Sequence, residues 1–270
     1  MAEPQLAGRV AIVTGASSGI GRVTARRLAR HGVTVVAVAR RAALLDTLIA
    51  ECRAGAPDSF ALAGDLGERA FAEGIIAKTV SRTGRLDVLV NNAALSKHKH
   101  ILDITPDEVD QVMRVNFMAC VWTTLAAIPH FLRLGGGTIV NVSSTNAING
   151  RAGMAQYDAT KAALLALTRS LACDHGHQGV RVNAVCPGFT ITPFHVRRKA
   201  EADGVSYEEA QAILREQPSS NVLGRGADSM EIAQSILFLA SSESSNVTGA
   251  TLMVDGGSGM VSTIGFTSGT

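Results

Sequence analysis

Tyr157 and Lys161 stand four residues apart, downstream of Ser144, in the stretch NVSSTNAINGRAGMAQYDATKAALLAL. Together these side chains make a proton donor suited to work beside a carbonyl. A phenol ionises at about pH 10 in water, and an adjacent ammonium favours the phenolate. Lys161 is therefore expected to bring Tyr157 down toward the range useful for general acid/base catalysis. The run after Lys161, AALLAL, reads as helix and puts both side chains on one face. Ser144 follows the apolar strand-like run 138–142, where its hydroxyl can hold the substrate oxygen that Tyr157 protonates. A Tyr–Lys pair at this spacing is also common on ordinary helix surfaces, so the elements around it must decide.

Those elements begin near the N-terminus. Residues 9–14, RVAIVT, form a continuous apolar strand signal that runs into Gly15, Ala16, Ser17, Ser18, Gly19, Ile20 and Gly21 and then into a helical stretch. Glycines let a backbone turn sharply and approach a pyrophosphate closely, and the free N–H groups and positive end of the following helix bind its charge. Strand, glycine turn and helix in this order predict a dinucleotide site. The spacing here, glycine at 15, 19 and 21, differs from the general GxGxxG fingerprint.

The pattern TGASSGIG at 14–21, NNAA at 91–94, Asn116, Ser144, Tyr157, Lys161 and PG at 187–188 resembles the short-chain dehydrogenase/reductase family over about residues 6–258. The resemblance implies a single doubly wound domain and an NAD(P)-dependent oxidoreductase. Its catalytic set is Asn116, Ser144, Tyr157 and Lys161, with Lys161 also holding the nicotinamide ribose and Asn116 helping to hold a water that relays protons. Its cofactor contacts map onto Gly15, Ser17, Ser18, Gly19, Ile20, Gly21, Arg40, Arg41, Asp65, Leu66, Asn92, Ala93, Ala94, Tyr157, Lys161, Pro187, Gly188, Thr190 and Thr192. In this mapping Asp65 and Leu66 meet the adenine, Asn92 and Ala93 line the adenosine side, and Thr192 meets the carboxamide. The family usually reads NNAG where this chain has Ala94, a methyl larger at a wall beside nicotinamide and substrate. Relatives commonly pair the two long helices, here 106–132 and 154–175, so a homodimer or homotetramer is expected.

Cofactor choice rests on the end of the second strand. An acidic side chain there pairs with the ribose 2′-hydroxyl of NAD, whereas arginine accommodates the 2′-phosphate of NADP. The acid position is Ala39, followed by Arg40 and Arg41. NADP(H) is favoured and NAD(H) remains open, because NADP-using relatives often carry a basic residue within the glycine turn, where this chain has Ser18.

The 270 residues, 46% hydrophobic, suffice for one large core. Strands are expected at 9–14, 33–38, 60–63, 86–91, 137–142, 179–185 and 250–254, with helices at 19–31, 42–53, 68–82, 106–132, 154–175 and 229–240. This predicts an α/β, Rossmann-type, doubly wound parallel sheet covered on both faces. Thr105 with Pro106 and Glu108, and Asp228 with Glu231, read as capped helix starts. Segment 188–226 is the variable, substrate-binding part of the single 1–270 domain. With residues 94–96 and 145–154 it supplies the pocket, including Phe189, Phe194 and Tyr207.

A net charge of +2, with charges intermixed, gives no footprint for nucleic acid or a membrane surface. No apolar run approaches the roughly 18 residues of a membrane span, and the start MAEPQLAG has no apolar leader core, so a cytoplasmic location is expected. Cys52, Cys120, Cys173 and Cys186 are far apart and read as buried or inert thiols. Lys97-His98-Lys99-His100 lacks a second ligand cluster, so no metal is expected. Arg197-Arg198-Lys199-Ala200 reads as a wet helix face. The substrate is a small carbonyl or alcohol; a 3-oxoacyl thioester, a sugar or polyol, a steroid and a cyclic ketone all fit. The alternatives are an NAD-dependent dehydrogenase working oxidatively and a nucleotide sensor without chemistry.

Overall fold

Strands such as VAIVT and TVVAVA are apolar on both alternating faces, so each needs cover on both sides; parallel pairing with crossover helices supplies it. The computed structural model describes residues 6–260. In chain order the elements are β1 (Val10–Thr14), α1 (Gly19–Arg30), β2 (Thr34–Ala39), α2 (Ala42–Cys52), β3 (Phe60–Ala63), α3 (Arg69–Thr83) and β4 (Val88–Asn91). They continue with α4 (Pro106–Met113), α5 (Ala119–Arg133), β5 (Gly137–Val142), α6 (Ala155–His175), β6 (Val180–Pro187), β7 (Thr190–Ile191) and α7 (Pro193–Asp203). The last are α8 (Tyr207–Glu216), β8 (Ala227–Asp228), α9 (Ser229–Ala240) and β9 (Thr251–Val254). Seven strands form one parallel sheet in the order β3-β2-β1-β4-β5-β6-β9. The strand order reverses between β1 and β4, which opens a crevice beyond their carboxyl ends, the place where such sheets bind ligands.

Each face of the sheet has its own apolar layer. Leu28, Leu45, Leu48, Ile236 and Leu239, from α1, α2 and α9, pack on Val13, Val35 and Val140. On the other face Ile75, Ala127 and Phe131, from α3 and α5, pack on Ile12, Val36, Leu89 and Ile139. Both predicted capping boxes form, Thr105 with Glu108 and Asp228 with Glu231.

Two expectations need correction. The helix read at 106–132 is not one regular rod, because a π-helical turn, Arg114–Met118, separates α4 from α5. The combined stretch Pro106–Arg133 is also long and apolar enough to span a membrane by composition, with a mean hydropathy of 1.4 over its most apolar 18 residues, against the expectation that no run approaches that length. It is docked on the sheet: Thr123 Oγ1 donates to Asn91 Oδ1 at 3.0 Å, and Thr123, Ala127 and Phe131 are buried. The cysteines are free thiols: Cys52, Cys120 and Cys186 are buried, and Cys173 is exposed on α6.

The variable segment folds into a small lobe. Helices α7 and α8 share a cluster of Val196, Ala210 and Leu214, with Tyr207 packed against it. The two-stranded parallel pair β7–β8, Thr190 opposite Ala227 and Ile191 opposite Asp228, ties that lobe to the sheet. Of the tail at 258–270, residues 261–270 lie outside the described residues, as do residues 1–5.

Candidate active site

The glycine turn is built by side chains from β1 and β4. Thr14 Oγ1 donates to Val90 O at 3.2 Å and accepts from the amides of Asn92 and Ala93 at 2.8 and 3.0 Å. The Asn92 amide donates to Thr14 O at 2.8 Å. Asn92, expected to line the adenosine side, thus has its side chain committed to the turn. Close packing requires two of the glycines. A Cβ on Gly21 would lie 2.5 Å from Asn92 Nδ2 and 2.6 Å from Gly15 O, and Gly15, at φ +67°, would meet Ala93 Cα at 2.8 Å. Gly19 opens α1, and its missing Cβ faces Thr192 Cγ2 at 3.4 Å, so the turn at 14–21 and the segment at 190–192 converge.

The amino end of α1 fits an anion. Its N-cap Ser18 makes no side-chain cap bond, and no acid occupies the first turn, so backbone N–H groups and the helix dipole remain available. The guanidinium of Arg41 lies over this turn, donating to Ser17 Oγ at 2.8 Å and to Ser18 Oγ at 2.8 Å. Arg40 diverges from it: its Nη1 lies 4.0 Å from Asp65 Oδ2, and its side chain is 64% exposed. Asp65 Oδ1 accepts from Gly67 N at 2.9 Å, which forms the bend after β3, and Leu66 is buried beside it. On the far side, Gly188 N donates to Val254 O at 3.0 Å just beyond Pro187, Thr190 Oγ1 donates to Gly188 O at 3.0 Å, and Thr192 Oγ1 is 3.0 Å from His195 Nδ1.

Ser144, Tyr157 and Lys161 come from the end of β5 and the first turns of α6. Ser144 leaves β5 in an extended conformation, and its Oγ accepts from Asn146 N at 3.1 Å, which starts a short 3-10 turn. Its hydroxyl is close enough to the Tyr157 phenol to favour phenolate. Lys161 is 2% exposed, and its Nζ donates to Val142 O at 2.7 Å and lies 5.6 Å from the Tyr157 ring centroid. One donated bond leaves two ammonium N–H groups for a ligand such as a ribose hydroxyl.

Electrostatics run against the sequence expectation. Burial pushes Tyr157 up to about 12, Ser144 acts against that rise, and Lys161 is not among the causes. Burial likewise pushes Lys161 down to about 8. At this distance desolvation outweighs the ammonium's pull on the phenol.

Asn116 lies in the π-turn, fully buried. Its Oδ1 accepts from Leu95 N at 2.7 Å, and its Nδ2 donates to Leu95 O at 2.9 Å and to Thr160 Oγ1 at 3.2 Å. Thr160 Oγ1 in turn donates to Tyr157 O at 2.7 Å. The side chain thus clamps the loop leaving β4 and links it to α6. Its register explains the π-turn, since an extra residue per turn aims the amide at Leu95.

Sequence reasoning missed the Thr14 hydroxyl, Thr160, and a buried polar ladder in which Asn91 Nδ2 donates to Asn141 Oδ1 at 3.0 Å and Asn141 Nδ2 to Thr168 Oγ1 at 2.9 Å. Polar residues within apolar strand signals, Asn91 and Asn141, were the available clue. Ala94 is exposed in the loop after β4. Lys97 and Lys99 both pair with Glu108, at 3.5 and 2.8 Å, which fixes the loop carrying His98 and His100.

Comparison with known proteins agrees with this arrangement. The family model described as short chain dehydrogenase matches residues 9–203. A 3-oxoacyl-[acyl-carrier-protein] reductase of Thermotoga maritima is 36% identical over 94% of this chain and 98% of its own length. A 4-formylbenzenesulfonate dehydrogenase of Comamonas testosteroni is 35% identical over 92% of this chain and 97% of its own. The crystal structure of L-sorbose reductase from Gluconobacter frateurii, complexed with NADPH and L-sorbose, superposes with a TM-score of 0.88 at 27% identity, covering 93% of this chain and 96% of that one. The chain therefore belongs to the short-chain dehydrogenase/reductase family of oxidoreductases.

Proposed function

We propose that this protein is an NADP(H)-dependent carbonyl reductase, which also works in reverse on a secondary alcohol. The observation that carries the cofactor preference is Arg41. It lies against Ser17 and Ser18 at the glycine turn, where NADP-using relatives often place a basic residue, and Ala39 puts no carboxylate opposite a 2′-phosphate. A bound nicotinamide would supply hydride chemistry at the carbonyl carbon. Tyr157 gives its proton to the oxygen while Ser144 donates a hydrogen bond to it. Lys161, with two ammonium N–H groups free, would hold the ribose of a bound cofactor and return a proton toward the phenolate. Asn116 keeps Leu95 and Thr160 in place, and so acts as a positioning residue. The first-turn N–H groups of α1 would hold the pyrophosphate of a bound cofactor, and Thr192 would meet its carboxamide.

The 188–226 lobe supplies the substrate wall with Phe189 and Phe194, which are 39% and 50% exposed beside His195. Self-association would run through α6 and the outer face of α5, on which Leu125 and Leu132 are exposed. A reductase using NADPH would work in the cytoplasm, where that cofactor is regenerated. A second reading, NAD(H) dependence, is favoured by Arg40 turning toward Asp65.

Parallel titration with NADPH and NADH, followed by NADPH oxidation against ketones, sugars and acyl thioesters, tests the reading. Tighter NADPH binding is expected, with a turnover that Tyr157→Phe lowers by about 10²–10⁴-fold while cofactor affinity is kept. Wild-type turnover in that variant would falsify the role of Tyr157; tighter NADH binding would overturn the cofactor preference.

A further inference from the structure

A cavity of about 370 Å³ opens at the amino-terminal edge of the sheet, opposite the catalytic crevice. It is lined by Arg9, just before β1, by Arg85 and Asp87, just before β4, by Arg181 of β6, and by Ser242 and Ser245 after α9. Three guanidinium groups against one carboxylate leave a net charge of two positives. The carboxylate is already occupied, since Asp87 accepts from Arg85 Nε and Nη2 at 2.8 and 2.6 Å and from Val10 N at 2.9 Å.

Arg181 is occupied too, by structure. Its Nη1 donates to Ser244 Oγ and Val247 O, and its Nη2 to Thr138 Oγ1, Leu239 O and Ser241 O, which bolts β6 to the end of α9. It contributes charge to the cavity without a spare donor at those two nitrogens. Arg9 differs. Among the described residues its guanidinium has no acceptor, and Arg85 Nη1 and the hydroxyls of Ser242 and Ser245 have none either. Burial and then the nearby charge of Arg9 lower the proton affinity of Arg181, as expected where like charges face one another without a counter-ion.

We propose that this cavity binds a phosphoryl dianion at a second site, remote from the hydride-transfer crevice. Two uncompensated positive charges match a dianion, whereas one carboxylate would leave a charge unmet. A tetrahedral oxyanion also offers acceptors in several directions, toward the fork of Arg9, the remaining nitrogen of Arg85 and the two serines. An occupant there would tie together the starts of β1 and β4 and the turn after α9, and so stabilise the fold by mass action.

The test is calorimetric titration of inorganic phosphate, and separately of glycerol phosphate, into the whole protein at constant ionic strength. Wild type, Arg9→Gln, Arg41→Gln and the exposed control Arg197→Gln are compared. Saturable binding in wild type is expected, weakened about tenfold or more in Arg9→Gln and kept in Arg41→Gln and Arg197→Gln. At about tenfold excess over Kd, phosphate should raise the wild-type Tm by about 3 °C and that of Arg9→Gln by much less. Without ligand, Arg9→Gln should melt no lower than wild type, because it removes a repulsion; this separates loss of the site from misfolding. Tighter binding of glycerol phosphate than of the free ion would identify a phosphorylated metabolite as the occupant, and the reverse would identify phosphate itself. Absence of saturable binding, loss in Arg41→Gln but not in Arg9→Gln, or equal weakening in Arg197→Gln would each overturn the proposal.

Discussion

The glycine turn after β1 and the Tyr157–Lys161 pair on α6 hold their polar groups in opposite conditions. Around the turn, Thr14 and Asn92 satisfy one another and the backbone, and what remains unpaired points outward from the start of α1. In the cluster, burial dominates: Lys161 is pushed down to about 8 and Tyr157 up to about 12. The cradle is complete as backbone geometry. The proton donor is held in place while its charges are disfavoured. Binding geometry can thus be fixed by packing alone, whereas proton chemistry is left to respond to whatever charge and hydrogen bonds a ligand brings.

The sharpest way to break the cradle is Gly21→Ala. The new methyl would strike Gly15 O and Asn92 Nδ2, and a backbone carbonyl cannot move aside cheaply. A stability loss of about 1–3 kcal/mol is expected by overpacking, with cofactor affinity lost as the turn is displaced. Denaturant unfolding together with cofactor titration measures both. Unchanged affinity would show that the turn tolerates displacement.

Asn116→Ala attacks the other side. It leaves Leu95 N–H and C=O without their partner, at a cost of about 2 kcal/mol for orphaned backbone groups. Because the clamp positions Tyr157 through Thr160, kcat should fall while the cofactor Kd stays near wild type. A fall in cofactor affinity with kcat preserved would place Asn116 with the cradle instead.

The two arginines give a smaller effect that divides them. Arg41→Gln should narrow the preference for NADPH over NADH by about tenfold, or about 1.4 kcal/mol, while Arg40→Gln should change it little, since Arg40 is exposed and turned toward Asp65. Equal effects from both would mean that Arg40 swings back over the turn when a phosphate is bound.

Much of the crevice was legible in the sequence because it depends on spacing and period. The glycines at 15, 19 and 21, the seven apolar strand runs and the Tyr–Lys interval all follow from backbone geometry that local patterns report. The π-turn was not legible, since it arises where Asn116 meets a backbone 21 residues away, at Leu95. Nor could composition divide Arg40 from Arg41, because adjacent side chains leave a strand end in different directions. The sign of the shift at Tyr157 also escaped, because it turns on burial at a site whose depth only the assembled sheet defines.

That sign yields the smallest effect and the most direct test of the comparison. Burial pushes Lys161 down to about 8 in the folded chain from its ordinary 10.5 in the unfolded one, so above pH 8 the unfolded chain binds more protons than the native one. Stability contributed by this residue must therefore rise as pH increases from about 8 toward 10.5. Cys52 and Cys120 oppose it, since both are raised from 9.0 to about 11 and make the native state bind more protons above pH 9. The rise should stand clearest between pH 8 and 9, read as the difference between wild type and Lys161→Met, which keeps the buried stem and removes the charge. Melting of the cofactor-free proteins across that window should show wild type gaining on the variant by about 1 kcal/mol or less. A flat difference would mean that Lys161 is solvated well enough to stay charged, and the contrast between a satisfied cradle and a strained proton cluster would fail at its central residue.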